Sequence, residues 1–286
     1  MPEPRPVVTE HNVLGEGPVW SVQRQRLFWT DIHGRRLWCF DPVAGTSRSW
    51  EPPDRIASMA FRRDGTLLAA FARSFAIYDP DSGRTEPLHD FEPDQPTTRL
   101  NDGRCDRQGR FIAGGLDEGQ PQRPISAVWR LDPDRALHRL IPNVTIANSL
   151  CFSPDGRTLY MADTPQRVIR AYDYDPETGR IGAERVFHRL PPGPGSPDGS
   201  VVDSQGYLWN AEYGGGRVVR YAPDGTVDRV VTLPTPNTTC PAFGGPDLTT
   251  LYITTAAEGT QGDPLAGALF AVETDVPGLT ESFFAG

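Results

Sequence analysis

The feature that most constrains this sequence is a hairpin unit that recurs six times along the chain. Each copy has an apolar strand, a polar turn and a second apolar strand. The copies occupy residues 18–29, 59–71, 103–114, 150–163, 200–212 and 241–255. Repeats of several strands at intervals of about 40 to 50 residues are typical of β-propellers, in which each repeat forms one blade. The hairpins therefore predict six blades.

A second pattern follows every hairpin: an alternating strand that ends in an acidic or Pro-containing turn. It occupies residues 37–45, 76–83, 128–134, 169–179, 218–225 and 269–278. The chain also contains 29 Gly and 29 Pro, which suit tight turns and disfavour helix interiors. Because the repeats run nearly end to end, we predict an all-β protein, a single six-bladed β-propeller domain over residues 1–286. An irregular β-sandwich is the alternative, but sandwiches do not repeat one hairpin and turn six times.

Charge and composition argue against several classes of partner. The net charge is -9 and no basic cluster is present, so nucleic acid and anionic membranes are poor partners. No run of about 18 apolar residues predicts a membrane span, and the N-terminus does not resemble a signal peptide. We expect a cytoplasmic monomer. Its cysteines lie far apart and should be free thiols; they are Cys39, Cys105, Cys151 and Cys240.

One position is equivalent in all six repeats and predicts a metal site. The repeats align on the apolar residue before each turn, and stepping back four residues gives the ring position. The ring residues are Glu16, Ala57, Asn101, Asn148, Asp198 and Thr239. In a propeller the first strand of each blade lines the central channel, so these residues should converge. Glu16, Asn148 and Asp198 supply oxygen ligands that suit a divalent cation. Asn or Asp alone more often caps a turn, but their common register favours the metal.

Four sequence motifs lie in order along the chain: LGEGPVW (14–20), RLNDG (99–103), ANSLCFSPDG (147–156) and SPDGSVVDSQGYLW (196–209). They resemble the SMP-30/gluconolactonase family, which includes regucalcin and bacterial sugar lactonases. The resemblance extends over nearly the whole chain, as far as residues 264–272. It implies a six-bladed propeller that opens sugar lactones with one divalent metal ion on its axis. The implied metal ligands are Glu16, Asn148 and Asp198, three of the ring residues.

The resemblance also implies substrate contacts. Arg99 and Asn101 should contact the substrate, and Asn101 can lie close to the metal. The family often places an acidic substrate contact soon after the RLNDG strand, and here both Asp117 and Glu118 fit, so the choice stays open. In the fourth blade the family usually has Asn-Gly where this chain has Asn148-Ser149. Serine should be tolerated there unless the backbone requires a positive φ.

These residues lead to a mechanistic hypothesis. The metal would polarise the lactone carbonyl and lower the pKa of bound water, with Asp198 as general base. Arg99 and Asn101 would orient the sugar hydroxyls. The metal stays open among Ca²⁺, Zn²⁺, Mn²⁺, Mg²⁺ and Fe²⁺, and the substrate among arabinono-, xylono-, galactono- and gluconolactone.

Two other functions also fit a propeller of this kind. The first is a calcium-dependent phosphotriesterase or aryl esterase, which would need a second calcium site with further carboxylates. The second is a propeller that binds metal or protein without catalysis. We expect Trp209, Glu212 and Tyr213, at the end of the fifth hairpin, to pack between blades rather than line a pocket.

Overall fold

The computed structural model describes residues 2–286, and these residues form six four-stranded antiparallel sheets, the blades of a β-propeller. The prediction of an all-β, six-bladed propeller is therefore confirmed. The described chain divides into two compact units of three blades each. The first unit contains residues 2–51 and 190–281, and the second contains residues 52–189 and 282–286.

The first unit holds the first, fifth and sixth blades. The first blade consists of β2 (Gly15–Ser21), β3 (Arg26–Asp31), β4 (Arg36–Asp41) and β5 (Thr46–Trp50). The fifth blade consists of β18 (Ser196–Val202), β19 (Leu208–Tyr213), β20 (Arg217–Tyr221) and β21 (Val227–Thr232). The sixth consists of β22 (Thr238–Gly244), β23 (Thr250–Thr255), β24 (Leu269–Glu273) and the N-terminal strand β1 (Arg5–Val8). Because β1 pairs with β24, the two ends of the sequence complete one sheet.

The second unit holds the second, third and fourth blades. The second blade consists of β6 (Ile56–Phe61), β7 (Leu67–Phe71), β8 (Ser74–Tyr78) and β9 (Thr85–Asp90). The third consists of β10 (Thr98–Cys105), β11 (Phe111–Asp117), β12 (Ser126–Leu131) and β13 (Leu137–Val144). The fourth consists of β14 (Ala147–Phe152), β15 (Thr158–Asp163), β16 (Val168–Asp175) and β17 (Arg180–Arg189), with a short 3₁₀ turn at Thr164–Gln166. The inner strand β10 packs against the inner strands β6 and β14.

The predicted patterns correspond to three of the four strands in each blade. Each predicted hairpin is the first and second strand of a blade, and each following pattern is the third strand. The outer strands were missed, because strands such as β9 and β17 are mostly exposed and lack the apolar alternation of buried strands. The N-terminal strand β1 was missed for the same reason. Its first three residues are exposed or only half-buried.

Two other expectations concern membrane-spanning segments and the state of the cysteines. Within residues 2–286 no helix is long and apolar enough to cross a membrane. All four cysteines are free and buried, which confirms the expected thiols. The single-domain organisation stays a prediction.

Candidate functional site

Every inner strand carries a β-bulge or register irregularity at the predicted ring position or beside it. The irregularities fall between Glu16 and Val19, Ile56 and Ser58, Leu100 and Gly103, Asn148 and Cys151, Pro197 and Ser200, and Thr238 and Pro241. A bulge breaks the hydrogen-bond ladder and re-aims side chains. The six ring residues therefore occupy the same distinctive place in their own blades, as the alignment predicted.

In the second unit, four of the predicted site residues form one hydrogen-bonded chain. The Arg99 Nε atom donates to Glu118 Oε1 at 3.0 Å, and Arg99 Nη1 donates to Asn101 Oδ1 at 2.8 Å. The Asn101 Nδ2 atom then donates to Asn148 Oδ1 at 3.0 Å. Arg99 is a buried strand residue, only 4% exposed, rather than a cation on a loop. Its charge is compensated by Glu118, as buried charges require.

Asn148 is held from both sides of its amide. Its Oδ1 accepts from Asn101, and its Nδ2 donates to the Thr164 hydroxyl at 2.8 Å. Asn101 is fixed in turn, because its Nδ2 also donates to the Ala147 carbonyl at 2.9 Å. These contacts set which end of the Asn148 amide is oxygen. Thr164 was not predicted, and the only signal for it in the sequence is its position directly after the second strand of the fourth blade.

The ladder of the third blade is longer than its counterparts and therefore adds two site residues. In the first and fourth blades the paired ladder begins one residue before the ring position. In the third blade it begins three residues before Asn101, with Thr98 opposite Asp117. This extension brings Arg99 into the strand and places Glu118 directly after the last residue of β11.

The contacts of Asp117 and Glu118 differ, although the two residues are adjacent. The fully buried Asp117 carboxylate accepts from the Thr97 hydroxyl at 2.5 Å and from the backbone N–H groups of Gly119 and Arg123. Burial raises the pKa of Asp117, but these hydrogen bonds outweigh burial and hold that pKa below its usual value. Asp117 thus fixes the loop, and Glu118 is the acidic residue that contacts Arg99.

Asp31 and Asp163 resemble Asp117 in ending the second strand of a blade and accepting backbone N–H groups. Their donors lie in the segment that leads into the first strand, Val13 and Leu14 for Asp31, and Thr145 and Ile146 for Asp163. The backbone donors to Asp117 lie instead in the loop after its own strand. An acidic residue at the end of a second strand therefore fixes loop backbone in three blades.

Ser149 has a positive φ, the backbone conformation in which serine was expected to be strained. Its φ is 60° and its side chain is fully buried. The residue after the ring position in the first blade, Gly17, has a φ of 53°. A left-handed conformation costs a non-Gly residue about 1–2 kcal/mol. The fourth blade therefore keeps a bulge geometry that glycine would adopt without that cost.

Asp102 links the bulges of two neighbouring blades. Its Oδ2 accepts the Leu150 N–H at 2.7 Å, two residues beyond the ring residue Asn148. Burial raises the pKa of Asp102, with Leu150 and Arg104 acting in the opposite direction. Asp102 therefore stabilises the fourth blade's inner strand.

In the first unit, two predicted ligands lie within electrostatic range of one tyrosine. Asp198 is 6% exposed, and Glu16 accepts the Gly17 N–H through its Oε2 atom at 3.0 Å. Burial raises the pKa of Tyr213 to about 12, and the charges of Glu258, Asp198 and Glu16 add to the shift. Tyr213 is therefore a neutral phenol at physiological pH.

The residues at the end of the fifth hairpin have different surroundings. Trp209 is fully buried and donates its indole N–H to Asp203, while buried Glu212 pairs with Arg217. The burial of Trp209 agrees with the predicted packing. For Glu212 and Tyr213, packing between blades stays a prediction.

Glycine is required beside Asp198 by close packing. A Cβ atom on Gly199 would lie 2.4 Å from the Cys240 Sγ atom and 2.9 Å from its Cα atom. Because β18 packs against β22, any larger residue at position 199 would push the strand that carries Asp198 away from its neighbour.

The donor chemistry of the predicted ligands fits a divalent cation. Within residues 2–286 no group of three or more His, Cys, Asp or Glu side chains is placed to bind a metal. The predicted set needs no such group, since it has two carboxylates and one amide, and the Asn148 amide oxygen is already oriented. Oxygen donors of this kind suit hard cations. Glu16 and Asp198 belong to the first unit and Asn148 to the second, so their convergence stays a prediction.

These features define the class of protein: a six-bladed β-propeller whose bulged inner strands carry carboxylate and amide side chains and a buried arginine–amide chain. A family model described as the SMP-30/Gluconolactonase/LRE-like region matches residues 14–257. The chain belongs to this family, as the sequence motifs indicated.

Named relatives cover almost the whole chain. L-arabinolactonase from Azospirillum brasilense is 41% identical over 283 residues, which are 96% of this chain and 93% of that protein. The 6-deoxy-6-sulfogluconolactonase from Pseudomonas putida is 38% identical over 287 residues, 98% of each chain. A crystal structure of a calcium-binding protein, regucalcin, from Agrobacterium tumefaciens str. C58 has a TM-score of 0.93 and 30% identity. The similarity covers 98% of this chain and 96% of that one.

Proposed function

We propose that this protein hydrolyses sugar lactones to the corresponding aldonic acids with the help of one divalent metal ion. Membership of a family that contains L-arabinolactonase and 6-deoxy-6-sulfogluconolactonase makes it a lactonase. The metal requirement, the identity of the sugar and the roles of individual residues are the parts that we propose.

The observation that carries the proposal is the chain of hydrogen bonds from Glu118 through Arg99 and Asn101 to Asn148. It ties the predicted substrate contacts to a predicted metal ligand through oriented polar groups. A sugar lactone offers several hydroxyl groups and one ester, so it needs directional donors and acceptors. The planar arginine fork and the two amides supply them.

The residues that would hold the metal are Glu16, Asn148 and Asp198. A divalent ion in this position would polarise the ester carbonyl and lower the pKa of water. The regucalcin relative is described as calcium-binding, which supports Ca²⁺ as the first ion to test. Zn²⁺, Mn²⁺, Mg²⁺ and Fe²⁺ remain further candidates.

The protein's own groups would perform the proton transfers. Asp198 takes a proton from water as the water oxygen attacks the carbonyl carbon. As the ring C–O bond breaks, the ring oxygen takes a proton and leaves as a hydroxyl group, which restores the Asp198 carboxylate. Meanwhile Arg99, Asn101 and Glu118 hold the sugar hydroxyls, so that the carbonyl stays in line with the water. Such positioning and general base catalysis are separate contributions to rate.

The test is a panel of aldonolactones assayed with metal-stripped protein to which each cation is returned in turn. Arabinono-, xylono-, galactono- and gluconolactone form the panel, and an aryl phosphotriester is assayed in parallel. We expect lactone hydrolysis well above the uncatalysed rate, lost on metal removal and restored by at least one divalent ion. The pentonolactones are expected to be the better substrates, because the relative at 41% identity is an L-arabinolactonase.

Three results would contradict the proposal. Preference for the phosphotriester would indicate an esterase of another class. Absence of turnover with every cation, in a protein that still binds metal, would indicate a non-catalytic propeller. Full activity after rigorous metal removal would refute the metal requirement.

A further inference from the structure

Arg55 is not one of the predicted site residues, yet it contacts one of them, Glu118, through two hydrogen bonds. It is the last residue before β6 in the second blade. Its Nη1 atom donates to Glu118 Oε1 at 2.7 Å, and its Nη2 atom donates to Glu118 Oε2 at 3.1 Å. This is a bidentate arrangement, the geometry in which an arginine fixes the orientation of a carboxylate most firmly.

Glu118 is therefore shared by two arginines that approach it differently. Arg55 contacts both carboxylate oxygens, whereas the Nε atom of Arg99 donates to Oε1. The Arg99 Nη1 atom donates instead to the Leu100 carbonyl and to Asn101 Oδ1, both at 2.8 Å.

We propose that Arg55 is a positioning residue for lactone binding, which holds Glu118 so that Arg99 keeps its hydrogen bond to Asn101. This inference rests on the proposed function and adds a residue to it. Without Arg55, the carboxylate would be able to rotate and pair with the fork of Arg99 through two oxygens. That pairing would draw Nη1 away from Asn101, and the chain that ends at Asn148 would lose its orientation.

The exposure of the pair indicates that its role is geometric rather than stabilising. The Arg55 and Glu118 side chains are 23% and 38% exposed, whereas the Arg99 side chain is 5% exposed. Water screens a pair of this exposure, and such pairs contribute about 0–1 kcal/mol to stability. Burial raises the pKa of Glu118, but Arg55 and Arg99 together hold it below its usual value. Glu118 is thus an ionised acceptor at neutral pH.

The experiment compares Arg55→Gln, Arg55→Lys and a matched control in the full-length, metal-loaded protein. Arg170 provides the control, since its Nε atom donates to Glu184 at 2.7 Å and its side chain is 21% exposed. For Arg55→Gln we expect about a tenfold rise in KM, which corresponds to one charge-assisted hydrogen bond, with kcat changed less than about twofold. Lysine keeps the charge but not the bidentate geometry, so Arg55→Lys should fall between. Arg170→Gln should retain the wild-type KM.

A double-mutant cycle separates positioning from a general structural effect. If Arg55 acts through Glu118, adding Arg55→Gln to Glu118→Gln should change KM by less than about twofold, because coupled residues are not additive. The same cycle measured on affinity for the aldonate product, by calorimetry, gives the answer even where Glu118→Gln turns over slowly.

Specific results would overturn the inference. A wild-type KM in Arg55→Gln, or equal effects of Arg55→Gln with and without Glu118, would remove the positioning role. So would a KM rise in Arg55→Lys equal to that in Arg55→Gln together with a matching fall in melting temperature, because that pattern is structural damage. Wild-type turnover is measured first. Failure of the wild type to open any lactone refutes the proposed function, whereas these outcomes refute only the role of Arg55.

Discussion

In the first unit the bulged inner strands carry the carboxylates Glu16 and Asp198, whereas in the second unit they carry the amides Asn101 and Asn148. The surroundings differ as well. The carboxylates act electrostatically on Tyr213, while the amides belong to a hydrogen-bonded chain that includes Arg99 and Glu118. One repeated backbone geometry therefore supports two kinds of chemistry. In the proposed function, the first unit would supply negative charge for a cation and a proton acceptor, and the second would supply orientation.

The largest effect should come from changing a carboxylate of the first unit. Asp198→Asn keeps the shape of the side chain but removes its capacity to accept a proton at neutral pH. With metal at saturating concentration, kcat should fall about 10²- to 10⁴-fold, the usual contribution of a general base. Steady-state kinetics measure the effect, and circular dichroism checks the fold. A folded variant with wild-type kcat would show that proton transfer does not depend on the first unit's Asp198.

The orientation of the Asn148 amide can be tested without replacing a proposed metal ligand. Thr164→Val removes the acceptor of the Asn148 Nδ2 atom while preserving size and branching. Loss of such an outer contact typically weakens metal binding about 10- to 100-fold, which titration calorimetry with the preferred cation would show. Thr164→Ser keeps the hydroxyl and should bind metal like the wild type. Equal affinity in the valine variant would mean that Asn148 needs no orienting partner.

Within the second unit, we expect substitutions of Asp117 and Glu118 to affect different properties. Asp117→Asn should lower the free energy of unfolding by about 1–3 kcal/mol, because an amide replaces a buried acceptor of backbone N–H groups. Glu118→Gln should chiefly raise KM. Urea unfolding and steady-state kinetics on both variants measure the two effects. A reversed pattern would place Asp117 at the substrate.

The lowered pKa of Asp117 predicts how the stability difference between the wild type and Asp117→Asn depends on pH. A carboxyl whose folded pKa is depressed contributes stability above its unfolded pKa, near 3.9, and loses that contribution as pH falls through the folded value. The stability difference between wild type and Asp117→Asn should therefore be full at about pH 7 and shrink below about pH 4. A constant difference across this range would contradict the assignment of the shift.

The smallest effects should come from exchanging the residues that follow two ring positions. Gly17→Ser should cost about 1–2 kcal/mol, because Gly17 has a φ of 53°. The reverse change, Ser149→Gly, should raise the free energy of unfolding by less than about 1 kcal/mol, since relief of strain is offset by the flexibility of glycine in the unfolded chain. Urea midpoints on both variants test this. Destabilisation by Ser149→Gly would show that the serine's own contacts outweigh the strain.

Much of this protein was readable from its sequence, because hairpins repeat with the period of a blade. Alternating apolar residues and turns predicted three strands of every blade, and the common register marked Glu16, Asn148 and Asp198 as equivalent. The resemblance to the SMP-30/gluconolactonase family added Arg99, Asn101 and the open choice between Asp117 and Glu118. These inferences depended on local pattern, which a sequence records directly.

Tertiary structure alone decided the rest, because the remaining contacts join residues that no local pattern connects. The exposed outer strands and the N-terminal strand β1 are defined by their pairing partners, not by periodicity. Arg55 and Glu118 are 63 residues apart, and only the packing of the second and third blades makes them a pair. Asp117 and Glu118 look alike in sequence, and they differ because the extended third-blade ladder ends between them, so that one carboxylate fixes the loop and the other contacts Arg99.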